Sequence, residues 1–437
     1  MFPFSKVSIG FLLAPGFRQT DVILTQGIIG APPRHKCYYI ADQEELVVGG
    51  YGFSIRANCT YDSCPPLDVL VVGEVPDEQL EDARYIDFIR SQVQSAHHVI
   101  AASNGVVALA KAGVLAGKQV TADRANLEKL AQFGAEVVDR GESVVDGKFY
   151  TSGPSTGMVE SAFKVMRKLT GDAVTSIFEL TIEYDPKPLY SNLGSDTALQ
   201  DTLQGIKPLK VAVLTPPDLY VPDVSGSIDV LGSIPGSEIF YVWKEKGKCQ
   251  GILGPELYAD TTFEECPPVD VVVIGAVHPN LSKDVGAQDF LLQQEKQGAS
   301  MIAVCEGALM LGSTGLLKGR HAVTNFHMVN LLRLADAIPS TKEVVVVDGK
   351  FYTAGPVMGA YEAAIMYLKD TYGDDVARYI EQSVLEYEPN PVLGVGSPEL
   401  AGKVRTFVSR ALVYPAVMIY GSGLKKGYRR RTELAAA

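Results

Sequence analysis

Asp146-Gly147-Lys148-Phe149-Tyr150-Thr151 recurs unchanged at residues 348–353, an offset of 202. The same offset joins Cys64-Pro65-Pro66 to Cys266-Pro267-Pro268, Gly73 to Gly275, Gly105 to Gly307 and Gly157 to Gly359. A period this long exceeds any solenoid unit, so the chain holds two whole domains of one fold. Glu183-Tyr184-Asp185-Pro186 and Glu386-Tyr387-Glu388-Pro389 match at offset 203, which marks a one-residue insertion before the second. The register divides the 437 residues into a domain over 1–190, a Gly/Ser/Asp-rich linker over 191–207, a second domain over 208–395 and a basic tail over 396–437.

Within each repeat, short apolar runs alternate with helical patterns. Val7–Leu13 and the run 68–73 have strand length and are apolar on both faces. Leu80, Ala83, Ile86, Ile89 and Val93 recur at helical spacing, predicting a helix between Asp77 and Val93. A strand over 99–102 then leads into a helix over 106–112. Uniformly apolar strands alternating with helices predict an α/β fold, a mostly parallel sheet covered on both faces. Ligands in such sheets sit at the carboxyl ends of the strands.

The second repeat carries a reactive group at one such end. Met301-Ile302-Ala303-Val304 runs into Cys305-Glu306-Gly307 and then an apolar helix. A cysteine at this turn is held above the sheet edge. The N–H groups that follow it point at an incoming charge, and the helix start is expected to lower its pKa. The alternative is a buried small hydrophobe, which the location disfavours. Ser103 stands at the matching place in the first repeat, followed by Asn104 and Gly105. A serine needs a general base, and only His97 and His98, ahead of the strand, lie near it in sequence. The first copy therefore reads as degenerate.

The order strand–Cys–x–Gly–helix, Gly-Leu-Leu-Lys-Gly-Arg over 315–320, Val323-Thr324, Thr353-Ala354-Gly355 and Glu386-Tyr387-Glu388-Pro389-Asn390-Pro391 resembles the ThiJ/PfpI superfamily. The resemblance spans both repeats. It implies two tandem flavodoxin-like (class I glutamine amidotransferase-like) domains. Within the superfamily the chain looks most like isonitrile (cyclohexyl-isocyanide) hydratases. Pro222-Asp223-Val224-Ser225-Gly226 stands where they carry an Asp-Leu-Thr-Gly-Pro-type segment. The resemblance places Asp223 on the catalytic acid and Cys305 on the nucleophile, with Asp21 as the first-repeat equivalent of Asp223. The other role open to Asp223 is a helix N-cap. Where the family often has a histidine after Thr-Thr, this chain has Thr324, Asn325 and Phe326, and Asp123 in the first repeat. A Cys–His pair is absent unless His327 turns back, which weakens a protease or amidase reading.

The expected chemistry is cofactor-independent. Cys305 adds to the electrophilic carbon of a small molecule, Asp223 delivers a proton, and backbone N–H groups of Gly275 or Ala276 and of Glu306, next to Gly307, hold negative charge. His278, Thr324 and Asn325 are pocket candidates. The alternatives are a glyoxalase-like or isomerase activity on a carbonyl substrate, or a redox-sensing, chaperone-like protein. By analogy the repeats pack as an internal pseudo-dimer, and the chain is also a candidate homodimer.

Composition excludes other classes. A net charge of −12 argues against nucleic acid as the partner. No run of apolar residues reaches spanning length without a charge, so no membrane span is expected. Six sparse cysteines without CxxC spacing suggest neither disulfides nor a metal site, and the N-terminal apolar run reads as a strand, not a signal peptide. A cytoplasmic setting is the default. The basic stretch is distinct: residues 401–437 carry eight Lys/Arg against Glu433 alone, leaving the repeats more acidic than the total.

Overall fold

The computed structural model describes residues 6–139, 143–190, 201–252 and 254–436, so most of the expected linker, residues 191–200, lies outside the described residues. The chain forms two compact units. Unit 1 comprises Met1–Thr175, Leu253–Glu256 and Leu385–Leu393; unit 2 comprises Ser176–Ile252, Leu257–Val384 and Gly394–Ala437. Each Glu-Tyr-x-Pro motif thus belongs to the unit built mainly from the other repeat.

Unit 1 is centred on a seven-stranded sheet. Its order from edge to edge is Val144–Asp146, Phe149–Ser152, His98–Ala102, Val69–Val72, Val7–Leu12, His35–Ala41 and Cys59–Thr60. Only the first pair is antiparallel. The central strand Val69–Val72 is buried at every position, as burial of both sheet faces requires. The helical pattern expected from Asp77 to Val93 is broken in two. A 3₁₀ turn covers Asp77–Glu81, and the helix proper, Ala83–Ser95, begins after Asp82, whose carboxylate accepts the Arg84 N–H at 2.9 Å. This cap competes with a continuous helix and wins.

Unit 2 repeats the plan. Its sheet runs Thr261–Thr262, Glu238–Trp243, Lys210–Leu214, Val271–Ile274, Ser300–Val304, Phe351–Ala354 and Val345–Asp348. Again only the hairpin of the last two strands is antiparallel. The chain is therefore two tandem flavodoxin-like domains, each a mostly parallel sheet with helices, as the alternation predicts. Helices Pro222–Gly232 and Gly359–Tyr372 pack tightly because Gly226 has no side chain: a Cβ there would lie 2.5 Å from the buried Tyr361 ring. Ser227 seals the contact by donating to the Ala360 carbonyl at 2.7 Å.

The basic stretch is a helix, Pro398–Ala436, interrupted at Gly402 and containing Pro415. It is docked on unit 2 rather than free. A Cβ on Gly423 would lie 2.5 Å from the Pro279 carbonyl oxygen, and one on Gly427 1.7 Å from that of Ser282, so only glycine allows this approach. Tyr420 donates to the Val277 carbonyl, Tyr428 to Asp336, and Arg431 pairs with Asp289. By length and composition alone, Pro398–Leu434 is long and apolar enough to cross a membrane. The same segment contains Arg410 and the polar contacts just described.

Candidate functional site

The strand Ser300–Val304 ends in Cys305, whose φ of +55° is rare for a side-chain-bearing residue. Several contacts impose it. Its N–H donates to the Ala354 carbonyl at 2.9 Å, and Thr324 Oγ1 donates to its carbonyl at 2.5 Å. Two residues on, Gly307 presses against the neighbouring strand, and a Cβ there would lie 2.2 Å from the Ile274 carbonyl oxygen. Backbone strain held from several sides marks a functional turn.

The Cys305 thiol is buried among polar side chains. It donates to Glu306 Oε2 at 2.8 Å and accepts from Asn325 Nδ2 at 3.3 Å. Asn325 also donates to Glu306 Oε1 at 2.9 Å, closing a three-membered network. Asp223 completes the cluster: one ligand atom each of Asp223, Cys305 and Glu306 lie within 4.8 Å of one another. The same three side chains offer one sulfur and two carboxylate oxygens, a donor set that could hold a metal ion.

Asp223 is fully buried, at the second position of its helix after Pro222 rather than at the N-cap. Its carboxyl reaches across the sheet edge, accepting N–H groups from Ala276 at 3.1 Å and Val357 at 2.9 Å. Val357 itself has φ +53°, a costly conformation for a β-branched residue. Gly275 makes room: a Cβ there would lie 3.2 Å from that of Asp223. The Ala276 N–H, expected to face an oxyanion, is thus spent on Asp223.

The electrostatics reverse one expectation. Burial, followed by the Asp223 and Glu306 charges, pushes the Cys305 thiol well above its ordinary range instead of lowering it. The helix behind it, Gly307–Ser313, has only seven residues and cannot offset this. Burial, then the Glu306 charge, raises Asp223 to about 7. Glu306 is likewise raised by burial, while its bonds to Cys305 and Asn325 oppose the shift. The thiol thus keeps its proton near neutral pH, and Asp223 titrates there.

Among the described residues, no imidazole bonds the thiol. His327 Nε2 pairs with Ser409 Oγ at 2.8 Å, and burial with the nearby Arg410 lowers it to about 4. His278 is exposed and accepts the Asn280 N–H at 3.3 Å, opening the turn Pro279–Lys283. Sequence reasoning assigned Glu306 only its backbone N–H and missed its side chain. It also passed over Tyr220 and Tyr420. Burial, with Asp223, Cys305 and Glu306 as charged neighbours, raises the pKa of both phenols. Tyr220 precedes Asp223 by three residues, a spacing that could have drawn notice; Tyr420 lies in the tail and gave no signal.

Unit 1 repeats the scaffold with other side chains at the turn. Asp21 is fully buried and accepts N–H groups from Glu74 at 2.8 Å and Ser155 at 3.2 Å, the counterparts of Ala276 and Val357. Ser103 keeps the strained turn, with φ +51° and its N–H on the Ser152 carbonyl at 3.1 Å. Its buried hydroxyl has no hydrogen-bond partner among the described residues. Asn104, in the place of Glu306, turns to Val75 and Asp77, and Asp123, in the place of Asn325, accepts from Asn126 at 2.7 Å. Burial raises the Asp123 carboxyl.

Comparison with known proteins agrees with the tandem reading. The profile of the DJ-1/PfpI family matches residues 7–168 and again 209–369. The isonitrile hydratase of Pseudomonas putida is 33% identical over 213 residues, covering 48% of this chain and 92% of that protein. The deglycase PfpI of Pyrococcus furiosus is 27% identical over 122 residues, covering 27% of this chain and 73% of the relative. Among solved structures, a ThiJ/PfpI family protein from Pseudomonas syringae is 24% identical with a TM-score of 0.47, covering 54% of this chain and 97% of its own.

Proposed function

The chain belongs to the DJ-1/PfpI family, and on that premise we propose that its second repeat hydrates isonitriles to N-substituted formamides through Cys305. The observation that carries this reading is the Cys305–Glu306–Asp223 cluster, in which a carboxylate receives the thiol proton and a second carboxyl holds its own. The isonitrile hydratase relative, matched over 92% of its length, points to the same chemistry.

The steps balance without a redox change. Glu306 takes the thiol proton as sulfur bonds to the terminal isonitrile carbon. Asp223 delivers its proton to that carbon, giving a thioimidate on Cys305. Water adds to the same carbon, one of its protons passes to nitrogen and the other to the Asp223 carboxylate. The C–S bond then breaks as the deprotonated oxygen becomes the formamide carbonyl, and Glu306 returns to sulfur the proton it took at the start. The Asn325 amide, donating to both Sγ and Glu306, steadies sulfur while it carries charge. The elevated thiol pKa makes the thiolate scarce but strongly nucleophilic, and places its formation inside the reaction.

The direct test incubates the purified chain with alkyl isonitriles and, in parallel, with 2-oxoaldehydes, following formamide and 2-hydroxyacid by NMR. Formamide production is expected; 2-hydroxyacid alone would assign the site to carbonyl chemistry, and neither product would reject the reading. The pH dependence has a definite sign. Asp223 must be protonated to act, so kcat/KM falls about tenfold per unit above its pKa of about 7. A flat profile between about pH 6 and 9 would exclude Asp223 as the acid.

The first repeat is read as non-catalytic. In a Cys305→Ala background, Ser103→Cys alone is expected to restore no turnover, because Asn104 and Asp123 cannot supply the base and the amide that Cys305 has. Activity within tenfold of the native level, roughly 1.4 kcal/mol in barrier, would show a second complete site.

A further inference from the structure

We propose that Glu183, a residue of the first repeat, is a positioning residue for the Cys305 centre: by anchoring the backbone of Phe326 it holds the preceding Asn325 amide on the thiol. The proposal rests on the reading of Cys305 as nucleophile, but not on the identity of the substrate.

Glu183 belongs to unit 2 although it precedes the linker. Its Oε1 accepts the Phe326 N–H at 2.8 Å. Asn325, one residue earlier, is the only side chain that donates a hydrogen bond to Cys305 Sγ among the described residues. Asn325 Oδ1 in turn accepts the Met328 N–H at 3.1 Å, so the loop is pinned on both sides of the amide. Gly355 leaves room for the second carboxyl oxygen, its would-be Cβ lying 3.4 Å from Oε2. Glu183 is held at φ +50°, a strained backbone for glutamate, which aims the carboxyl inward.

The same construction occurs in unit 1. Glu386, at φ +44°, accepts the Arg124 N–H at 3.0 Å, and its Oε2 lies 3.5 Å from a would-be Cβ on Gly153. Arg124 and Gly153 stand 202 positions before Phe326 and Gly355. A two-fold recurrence of carboxylate, strained backbone, anchored N–H and facing glycine is a designed contact rather than a chance one. In unit 2 the anchored loop carries Asn325 onto a thiol; in unit 1 it carries Asp123, which has turned to its own helix.

The remainder of the arm is fastened by further carboxylates. Glu362 accepts the Lys187 N–H at 2.5 Å, and Glu381 accepts those of Leu189 and Tyr190 at 3.2 and 2.8 Å. The charged groups around Glu183 are Glu306, Asp223 and Glu399, and Arg410 and Glu343 line the cavity of about 230 Å³ that it borders. Around the thiol stand Asp223, Glu306, Tyr220 and Tyr420.

The test uses the full-length chain and reads the thiol directly. Iodoacetamide labelling of the Cys305 peptide is followed by mass spectrometry from about pH 6 to 10, with Cys305→Ala as the blank. Glu183→Ala is expected to move the labelling profile to higher pH and to slow labelling near pH 8 roughly tenfold, the loss of one hydrogen bond to a charged sulfur. Glu183→Gln, which keeps an acceptor for the Phe326 N–H, is expected to stay within about twofold. Asn325→Ala should reproduce the Glu183→Ala shift, and the double variant should add nothing further. An unshifted Glu183→Ala profile, a Gln variant as impaired as the Ala variant, or additive effects in the double variant would each overturn the proposal. Glu183→Met, which keeps the bulk without an acceptor, answers the same question if the alanine variant does not fold. A chain that labels as expected yet makes no formamide would refute the hydratase reading and leave the role of Glu183 intact.

Discussion

Cys305→Ala is expected to lower isonitrile turnover by at least 10⁴-fold, since removal of a covalent nucleophile eliminates the pathway rather than weakening it. Among the described residues, the charged and polar groups about the thiol are carboxyls, an amide and two phenols raised above their ordinary pKa, none of which replaces sulfur as a nucleophile. The fold should persist, because alanine meets the same conformational cost at φ +55° that cysteine does, and the contacts that impose the turn are backbone and Thr324 contacts. Burial of two carboxyl groups near a thiol also destabilises, so removing sulfur leaves the melting temperature within a few degrees or raises it. Formamide production by NMR, beside a thermal melt, checks both halves. Turnover within tenfold of native in a folded Cys305→Ala chain would exclude covalent catalysis by this residue.

The second large effect is on stability. Gly307→Ala puts a methyl group 2.2 Å from the Ile274 carbonyl oxygen and 2.8 Å from that of Gly275. Both obstacles are backbone in the sheet interior, so the helix must lift or the strand must yield. The expected cost exceeds about 3 kcal/mol, the upper range for overpacking, and lowers the melting temperature of unit 2 by roughly 10 °C. Because Gly275 and Ala276 carry the position of Asp223, activity falls with it. Gly105→Ala makes the same clash in unit 1, 2.4 Å from the Val72 carbonyl oxygen, and is expected to destabilise that unit comparably. Calorimetry of the two variants compares them directly. A Gly307→Ala chain melting at the native temperature would show that the turn is looser than its contacts indicate.

Much of the scaffold is legible because it repeats. Asp223 and Cys305 stand out by their places relative to strands whose apolar runs are unmistakable, and the 202-residue register then fixes Asp21 and Ser103. What escapes is long-range. Nothing near Glu183 announces that its carboxyl meets Phe326, 143 residues away. Spacing identifies Glu306 as the residue after the nucleophile but does not say where its side chain turns. The thiol pKa moves opposite to expectation because burial and two carboxyl neighbours outweigh a short helix, and burial cannot be read from a motif. Dense charge sets the basic tail apart in sequence, but Gly423 and Gly427, which allow its helix to dock, are ordinary letters there.

The way the units are assembled constrains how such a chain can change over generations. Residues 176–190 belong to unit 2 and residues 385–393 to unit 1, so a deletion that discards one repeat also removes part of the remaining unit. The first repeat therefore cannot be shed by a single truncation, whatever chemistry it performs. The genetic route from two domains to one passes through a damaged protein.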